Sequence, residues 1–191
     1  MKNNATSIPY SATGVFSALV NDYISGNGTA RDYVPYAPDM EGIKKAIQQR
    51  KFSATQRQVL VAVLENQYQV LGAGINEKNK AAFEKVQANI GLLKNDNCFA
   101  VTTAHQPNLF TGPLYFFYKI IHVIKLASAL KAQFPENEFV PIYYMGSEDA
   151  DLAEVGSYNI DGAKHQWKTK QTGAIGRMLV DDHLLQLLQD L

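Results

Sequence analysis

The stretch from Cys98 to Met145 constrains the fold more than any other part of the chain. Cys98-Phe99-Ala100-Val101-Thr102-Thr103 is a short apolar run rich in β-formers, and Phe139-Val140-Pro141-Ile142-Tyr143-Tyr144-Met145 is a second. Runs of this length and composition read as buried strands, with Pro141 tolerated near a strand's start. Between them lie a turn, His105-Gln106-Pro107-Asn108, and an apolar-periodic segment from Gly112 to Gln133. Pro113 suits the first turn of a helix there, and Pro135 closes it. Strand, loop, helix and strand, with about thirty residues of crossover, predict a parallel βαβ unit, since antiparallel neighbours need only a short turn. An α/β, doubly wound core is therefore expected to begin near residue 96.

What precedes it reads as helical. Thr13 to Ile24 places Val15, Phe16, Leu19, Val20, Tyr23 and Ile24 at helical spacing, and Gly26-Asn27-Gly28 stops the run. Asp39 can cap a helix through Gln49, and Ser53 one from Ala54 to Leu71. In the latter, Leu60, Val63, Leu64, Tyr68 and Leu71 are expected to face one way. Asn76 opens a further helix whose stripe is Phe83, Val86, Ile90 and Leu93. Such stripes predict core packing. Beyond the second strand, His165-Gln166-Trp167-Lys168 reads as another strand and Gly173 to Arg177 as a loop. Leu184, Leu185, Leu187, Leu188 and Leu191 crowd an amphipathic run that reaches the last residue. It must fold back, disorder or pair with another copy, because leaving such a stripe in water is costly, and self-association or a poorly ordered C-terminus is the expected outcome. Two parallel strands are too few for a doubly wound sheet. The chain thus reads as a piece of a larger protein: residues 1–95 a helical N-terminal extension, residues 96–191 the first part of the core.

Composition excludes several classes. The 191 residues carry 18 Lys+Arg and 18 Asp+Glu, so no net field recruits a polyanion and a dedicated nucleic-acid coat is not expected. Cys98 is the single cysteine, which rules out an internal disulfide and a cysteine-rich zinc site and suits a reducing cytoplasm. The opening MKNNATSIPYSATG has no apolar core of a signal peptide, and the apolar runs fall far short of the ~20 residues that span a bilayer. A cytoplasmic protein with no membrane partner is expected.

Chemistry concentrates in two loops. In an open α/β sheet ligands bind outside the carboxyl ends of the strands, where Thr103 to Tyr115 belongs. His105 could donate to phosphate oxygens, Gln106 and Asn108 could orient a substrate, and a helix start at Gly112-Pro113 would aim N–H groups at an anion. The competing reading is a polar turn whose Asn and Thr side chains cap the following helix. The second loop, Gly146-Ser147-Glu148-Asp149-Ala150-Asp151, offers three carboxylates for Mg²⁺, a substrate amine or ribose hydroxyls. Its competing reading is an acidic cap on a short helix from Ser147 to Val155. For the first loop the two readings stand even on local pattern; for the acidic loop, the sheet edge it shares with the first favours function. Lys119 and Lys125 read as solvated helix residues, while Lys168, Lys170 and Arg177 could meet anions around a glycine loop. No GxGxxG, GxxxxGK[ST] or HExxH occurs, so no standard dinucleotide, P-loop or metal motif is present.

Taken together, AHQPNLFTGPLYFFYKIIHVIKLA, FVPIYYMGSEDADLAEV and KQTGAIGRM resemble the BshC family, to which the cysteine-adding step of bacillithiol biosynthesis is assigned. FTGPLY followed by YK, and then an ED-x-D loop after the next strand, carries most of that resemblance. It covers Phe99 to Met178 well, and FSALVNDYI matches the family's opening helix more loosely. Family members are more than twice as long, so the resemblance implies an N-terminal piece that lacks the coiled coil and the later core. It also implies a Rossmann-like core related to nucleotidyltransferases and class I aminoacyl-tRNA synthetases (the HUP type).

The function it implies is an ATP-dependent, amide-forming ligase that joins cysteine to the amino group of glucosaminyl-malate. ATP or another nucleotide, with Mg²⁺, would be the cosubstrate, and a homo-oligomer is compatible. Carried over residue by residue, His105, Glu148 and Asp149 become the catalytic candidates. Thr103, Gln106, Asn108, Thr111, Gly112, Tyr115, Asp151 and Arg177 become the nucleotide- or substrate-binding ones. Two departures stand out: Asn108 occupies the place of the second histidine of an HxGH loop, and Ala150 that of a histidine in the acidic loop. HQPN before an aromatic-rich helix is also similar to WbqC-like proteins, which keeps open a non-catalytic nucleotide- or sugar-binding module.

Overall fold

The computed structural model describes residues 6–27, 30–72, 74–149 and 151–190; Gly28, Ala150 and Leu191, used in the readings above, lie outside them. Its contacts divide into two units, Met1–Ser53 and Ala54–Leu191.

The first unit holds three helices, α1 (Ala18–Ser25), α2 (Ala30–Tyr33) and α3 (Met40–Gln49). α1 starts five residues later than the apolar spacing predicts. Ser17 is extended and its side chain accepts from Val20 N, so it caps the helix there. The expected stripe is not a core face: Val15, Phe16, Leu19, Val20 and Ile24 are all exposed. Asp39 does cap α3, accepting from Gly42 N at 2.7 Å.

The second unit opens with α4 (Ala54–Gly72) and α5 (Lys80–Leu92). α5 begins four residues after Asn76, because Asn79 Oδ1 accepts from Asn76 N and Asn76 Oδ1 from Lys78 N, holding a turn. β1 (Cys98–His105), α6 (Leu114–Gln133) and β2 (Glu138–Met145) follow. β1 and β2 pair in parallel, from Cys98 opposite Glu138 to His105 opposite Met145, as the crossover length requires. Val61, Ile90, Leu93, Cys98 and Val140 form the buried core between α4, α5 and the strands. α4 therefore turns Val61, Leu64 and Tyr68 inward, while Leu60, Val63 and Leu71 of the expected stripe are exposed. On the sheet, α6 packs with Phe116 against Tyr143, and Phe134 against Phe139. β1 is only half-buried: Ala100, Thr102 and Ala104 face solvent.

Arg57 ties α4 to the start of the sheet. Its guanidinium donates to the main-chain oxygens of Leu93 at 2.9 Å, Asn95 at 2.5 Å and Cys98 at 2.5 Å. Burial pushes the Cys98 thiol above its ordinary value, against the lowering pull of Arg57.

After β2 come α7 (Leu152–Val155), an antiparallel hairpin of β3 (Ser157–Ile160) and β4 (Ala163–Gln166), and α8 (Asp182–Gln189). The strand expected at 165–168 is thus two residues earlier, and it has a partner. The leucine-rich run takes the fold-back course: Leu184 and Leu187 are buried with Tyr158 and Trp167, while Leu185 and Leu188 are each 46% exposed. Asp181 caps α8 through Leu184 N and accepts from Trp167 Nε1 at 2.8 Å. Among the described residues, no helix is long and apolar enough to cross a membrane.

Candidate functional site

His105 ends β1 opposite Met145, the end of β2, so the two chemistry-bearing loops leave the sheet at the same edge. The carbonyl oxygen of His105 accepts from Gly146 N at 2.9 Å and from the Tyr143 hydroxyl at 3.0 Å, which fixes the strand ends together. Desolvation raises the Tyr143 phenol above its ordinary value.

The His105 side chain is 8% exposed and bonded on both ring nitrogens. Nε2 lies 2.7 Å from the Tyr115 hydroxyl, while Nδ1 lies 3.2 Å from Gln106 O and 3.1 Å from Asn108 Nδ2. Either neutral tautomer finds partners: Nδ1–H can donate to Gln106 O with Tyr115 donating to Nε2, or Asn108 donates to Nδ1 and Nε2–H to Tyr115. Tyr115 and Phe116 flank the ring, at 5.2 and 6.0 Å between centroids. Asn108 also donates to Gln106 O at 3.0 Å and makes no cap bond to a helix. The capping alternative for this turn is therefore not what the side chain does.

The helix start differs from expectation. Leu109–Thr111 forms a 3₁₀ turn, and Phe110, Thr111 and Gly112 all have positive φ, at 48°, 73° and 64°. For Phe110 and Thr111 this costs of order 1–3 kcal/mol each, held by the surroundings. Gly112 is needed because a Cβ there would lie 2.7 Å from Asn108 Cγ. α6 then begins at Leu114 with Pro113 as its extended N-cap, two residues after Gly112.

The acidic loop is bridged to the first by Gln106 Nε2, which donates to Asp149 Oδ2 at 3.0 Å. The Tyr144 hydroxyl donates to Glu148 Oε1 at 3.0 Å, and that carboxylate raises the tyrosine's pKa. Glu148 and Asp149 lie outside any helix, whereas Asp151 is the N-cap of α7 and accepts from Glu154 N. The capping alternative is thus realised by Asp151. The 173–178 loop buttresses the acidic loop: Ile175 N donates to Asp149 O at 2.8 Å and Gly176 N to Ser147 O at 2.9 Å. A Cβ on Gly176 would fall 2.6 Å from Ser147 Cβ, so only glycine permits that approach.

A cavity of about 550 Å³ opens between these loops, lined among others by His105, Gln106, Tyr115, Lys119, Glu148 and Asp149. Tyr144 and Glu154 complete its wall. A neighbouring cavity of about 460 Å³ is lined by Asn108, Gly112, Tyr158 and again Glu154. Thr103, Thr111, Asp151 and Arg177 line neither; Thr111 donates back to Phe110 O, and Arg177 is exposed in the 3₁₀ turn Ile175–Arg177. Lys168 and Lys170 line a separate surface hollow with Asp181 and His183. Lys119 is exposed on its helix, as the sequence reading has it, but that reading did not place it on the cavity, and it missed Glu154. The available signal for Lys119 was its position four residues after Tyr115, on the same face of the helix that follows the His105 loop. Among the described residues, no group of three or more His, Cys, Asp or Glu could hold a metal ion. The arrangement puts a bonded imidazole, an amide bridge, a lysine and three carboxylates around one solvent-open volume, which suits a polar ligand bearing both signs of charge.

The family profile "Bacillithiol biosynthesis BshC, N-terminal Rossmann-like domain" matches residues 1–191. Proteins named "Putative cysteine ligase BshC" are similar over most of the chain. The one from Flavobacterium psychrophilum is 40% identical over 90% of this chain, which covers 31% of that protein. Those from Cytophaga hutchinsonii and Flavobacterium johnsoniae are 38% and 37% identical over 92% and 90% of this chain, covering 32% and 31% of theirs. The chain spans about a third of the length of these curated relatives.

Proposed function

The chain belongs to the BshC family as its N-terminal Rossmann-like domain, and from that premise we propose that it forms the activating site of an ATP-dependent amide ligase. The ligase joins the cysteine carboxylate to the amino group of glucosaminyl-malate. The observation that supports this most is the Gln106–Asp149 bridge, which closes the His105 loop and the acidic loop around one cavity at the carboxyl ends of parallel strands.

The chemistry asks for two charge-handling walls. A cysteine carboxylate oxygen attacks ATP phosphorus; a P–O bond forms, another breaks, and ADP (attack at the γ-phosphorus) or pyrophosphate (attack at the α-phosphorus) leaves. The sugar amine then attacks the activated carbonyl carbon, the C–N bond forms, and phosphate or AMP leaves with the bonding pair. His105, held at Nδ1 by Gln106 O and Asn108, exchanges its Nε2 contact with Tyr115 for the ligand and donates Nε2–H to the phosphate oxygens as charge develops. Glu148 or Asp149 orients the amine and takes the proton it loses. Mg²⁺ would enter on the nucleotide's phosphates. The reaction belongs in the cytoplasm, where free cysteine and ATP are kept.

The test is ATP consumption by a protein that carries this domain at full family length. Consumption should require cysteine and glucosaminyl-malate together, with serine a poor substitute. His105→Ala should cut turnover far more than it lowers the unfolding midpoint. Nucleotide or sugar binding without cysteine-dependent turnover would replace this reading with that of a non-catalytic module.

A further inference from the structure

We infer that Lys119 is a ligand-binding residue of this cavity, holding an oxyanion, carboxylate or phosphate, of the bound molecule. The inference rests on the functional reading above only for the site's location. Lys119 lies on the second turn of α6, and its Nζ reaches back over the Tyr115 ring, 5.3 Å from the centroid. One N–H donates to Ala104 O at 3.3 Å, at the end of β1 beside His105. Lys119 stays exposed, and holding its stem along this path costs side-chain entropy that the ring and carbonyl contacts offset. The ring and the strand carbonyl aim the ammonium at the cavity and leave two N–H bonds for a ligand.

Charge supports the same conclusion. Glu148, Asp149 and Glu154 line the cavity with Lys119, yet among the described residues it forms no salt bridge with any carboxylate. The cation is thus separated from the acidic wall. His105, with both ring nitrogens engaged, stands beside it. A ligand that brings an oxyanion to Lys119 and an amine or hydroxyl to the acidic wall meets both charges of the site.

The experiment compares four probes by calorimetry on wild type, Lys119→Met and Lys119→Arg: AMP against adenosine, and L-cysteine against L-cysteine methyl ester. A charge-assisted hydrogen bond is worth about 1.5–3 kcal/mol, or roughly 10- to 150-fold in affinity. Wild type should prefer the oxyanion-bearing member of one pair by that factor. Lys119→Met should abolish the preference and Lys119→Arg should keep most of it, while the probe without the oxyanion is unmoved. The pair that loses its preference identifies the oxyanion as phosphate or carboxylate. No oxyanion preference in wild type, an undiminished preference in Lys119→Met, or equal loss for probes with and without the oxyanion would overturn the inference. These readouts need no turnover. A cysteine-dependent ligase in which Lys119→Met keeps its KM values would sink Lys119 and leave the ligase; selective oxyanion binding without ligation would do the reverse.

Discussion

Replacing Arg57 with methionine should destabilise the second unit by about 3–5 kcal/mol. The change keeps most of the aliphatic stem and removes the donors. Arg57 is 9% exposed, and its guanidinium serves three main-chain oxygens spaced over the α5–β1 connection. Those of Leu93 and Cys98 are buried and would lose a charged donor, at about 1–3 kcal/mol for each orphaned acceptor. The oxygen of Asn95 is partly buried, also accepts from Cys98 N, and can rehydrate at little cost. With two acceptors near the upper half of that range, the sum matches the roughly 3–5 kcal/mol seen when one side of a buried charged interaction is removed. In urea, at an m-value of about 1–3 kcal/mol/M, the midpoint should fall by roughly 2 M. Hydrogen exchange should quicken first around residues 93–98, and Arg57→Lys should fall between the two, since one ammonium cannot span all three oxygens. A midpoint shift below about 0.5 M in Arg57→Met, or exchange that quickens uniformly, would show that the connection does not depend on the guanidinium.

Three further outcomes follow from single contacts. The Leu184 backbone N–H, with the Thr169 side chain next, lowers Asp181 from its ordinary 3.8 to about 2. Its contribution should be complete above about pH 4 and lost as pH falls through about 2; Trp167 fluorescence should report that loss in wild type and show a flatter acid limb in Asp181→Asn. Leu187→Ala, at 8% exposure, should cost about 2–5 kcal/mol and Leu188→Ala, 46% exposed, well under 1, measured by urea unfolding. Gly176→Ala should push the 173–178 loop off Ser147, weakening ligand binding in the cavity while costing about 1–3 kcal/mol in stability; unchanged binding by calorimetry would show that the loop does not support Glu148 and Asp149.

How much of this was legible depends on what kind of signal each element carries. β1 and β2 are continuous apolar runs, and thirty residues between them leave a parallel pairing as the economical solution, so the sheet and its functional edge could be read directly. The β3–β4 hairpin could have been read too. Ser157–Ile160 and Ala163–Gln166 are short and mostly polar, but the Asp161-Gly162 pair between them has φ of 51° and 79°, the two-residue turn that Asp-Gly prefers. α4 was harder: Val59, Leu60, Val61, Val63 and Leu64 surround the helix on several sides, so apolar spacing alone cannot say which face Arg57 and Val61 bury.

At the site the same division holds. The convergence of His105 with Glu148 and Asp149 follows from strand polarity, because parallel strands of equal length end at one edge. The inward course of Lys119 does not, since a lysine among exposed aromatic residues looks the same on paper whether it meets water or a cavity. What separates the two cases is the register of α6 on β1. With α6 starting at Leu114 after Pro113, Lys119 lies one turn beyond Tyr115 and its Nζ reaches Ala104 O. Loop geometry, with Phe110 and Thr111 held at positive φ, therefore decides which side chains of α6 enter the site, and that geometry is the part of the chain whose sequence pattern says least about its shape.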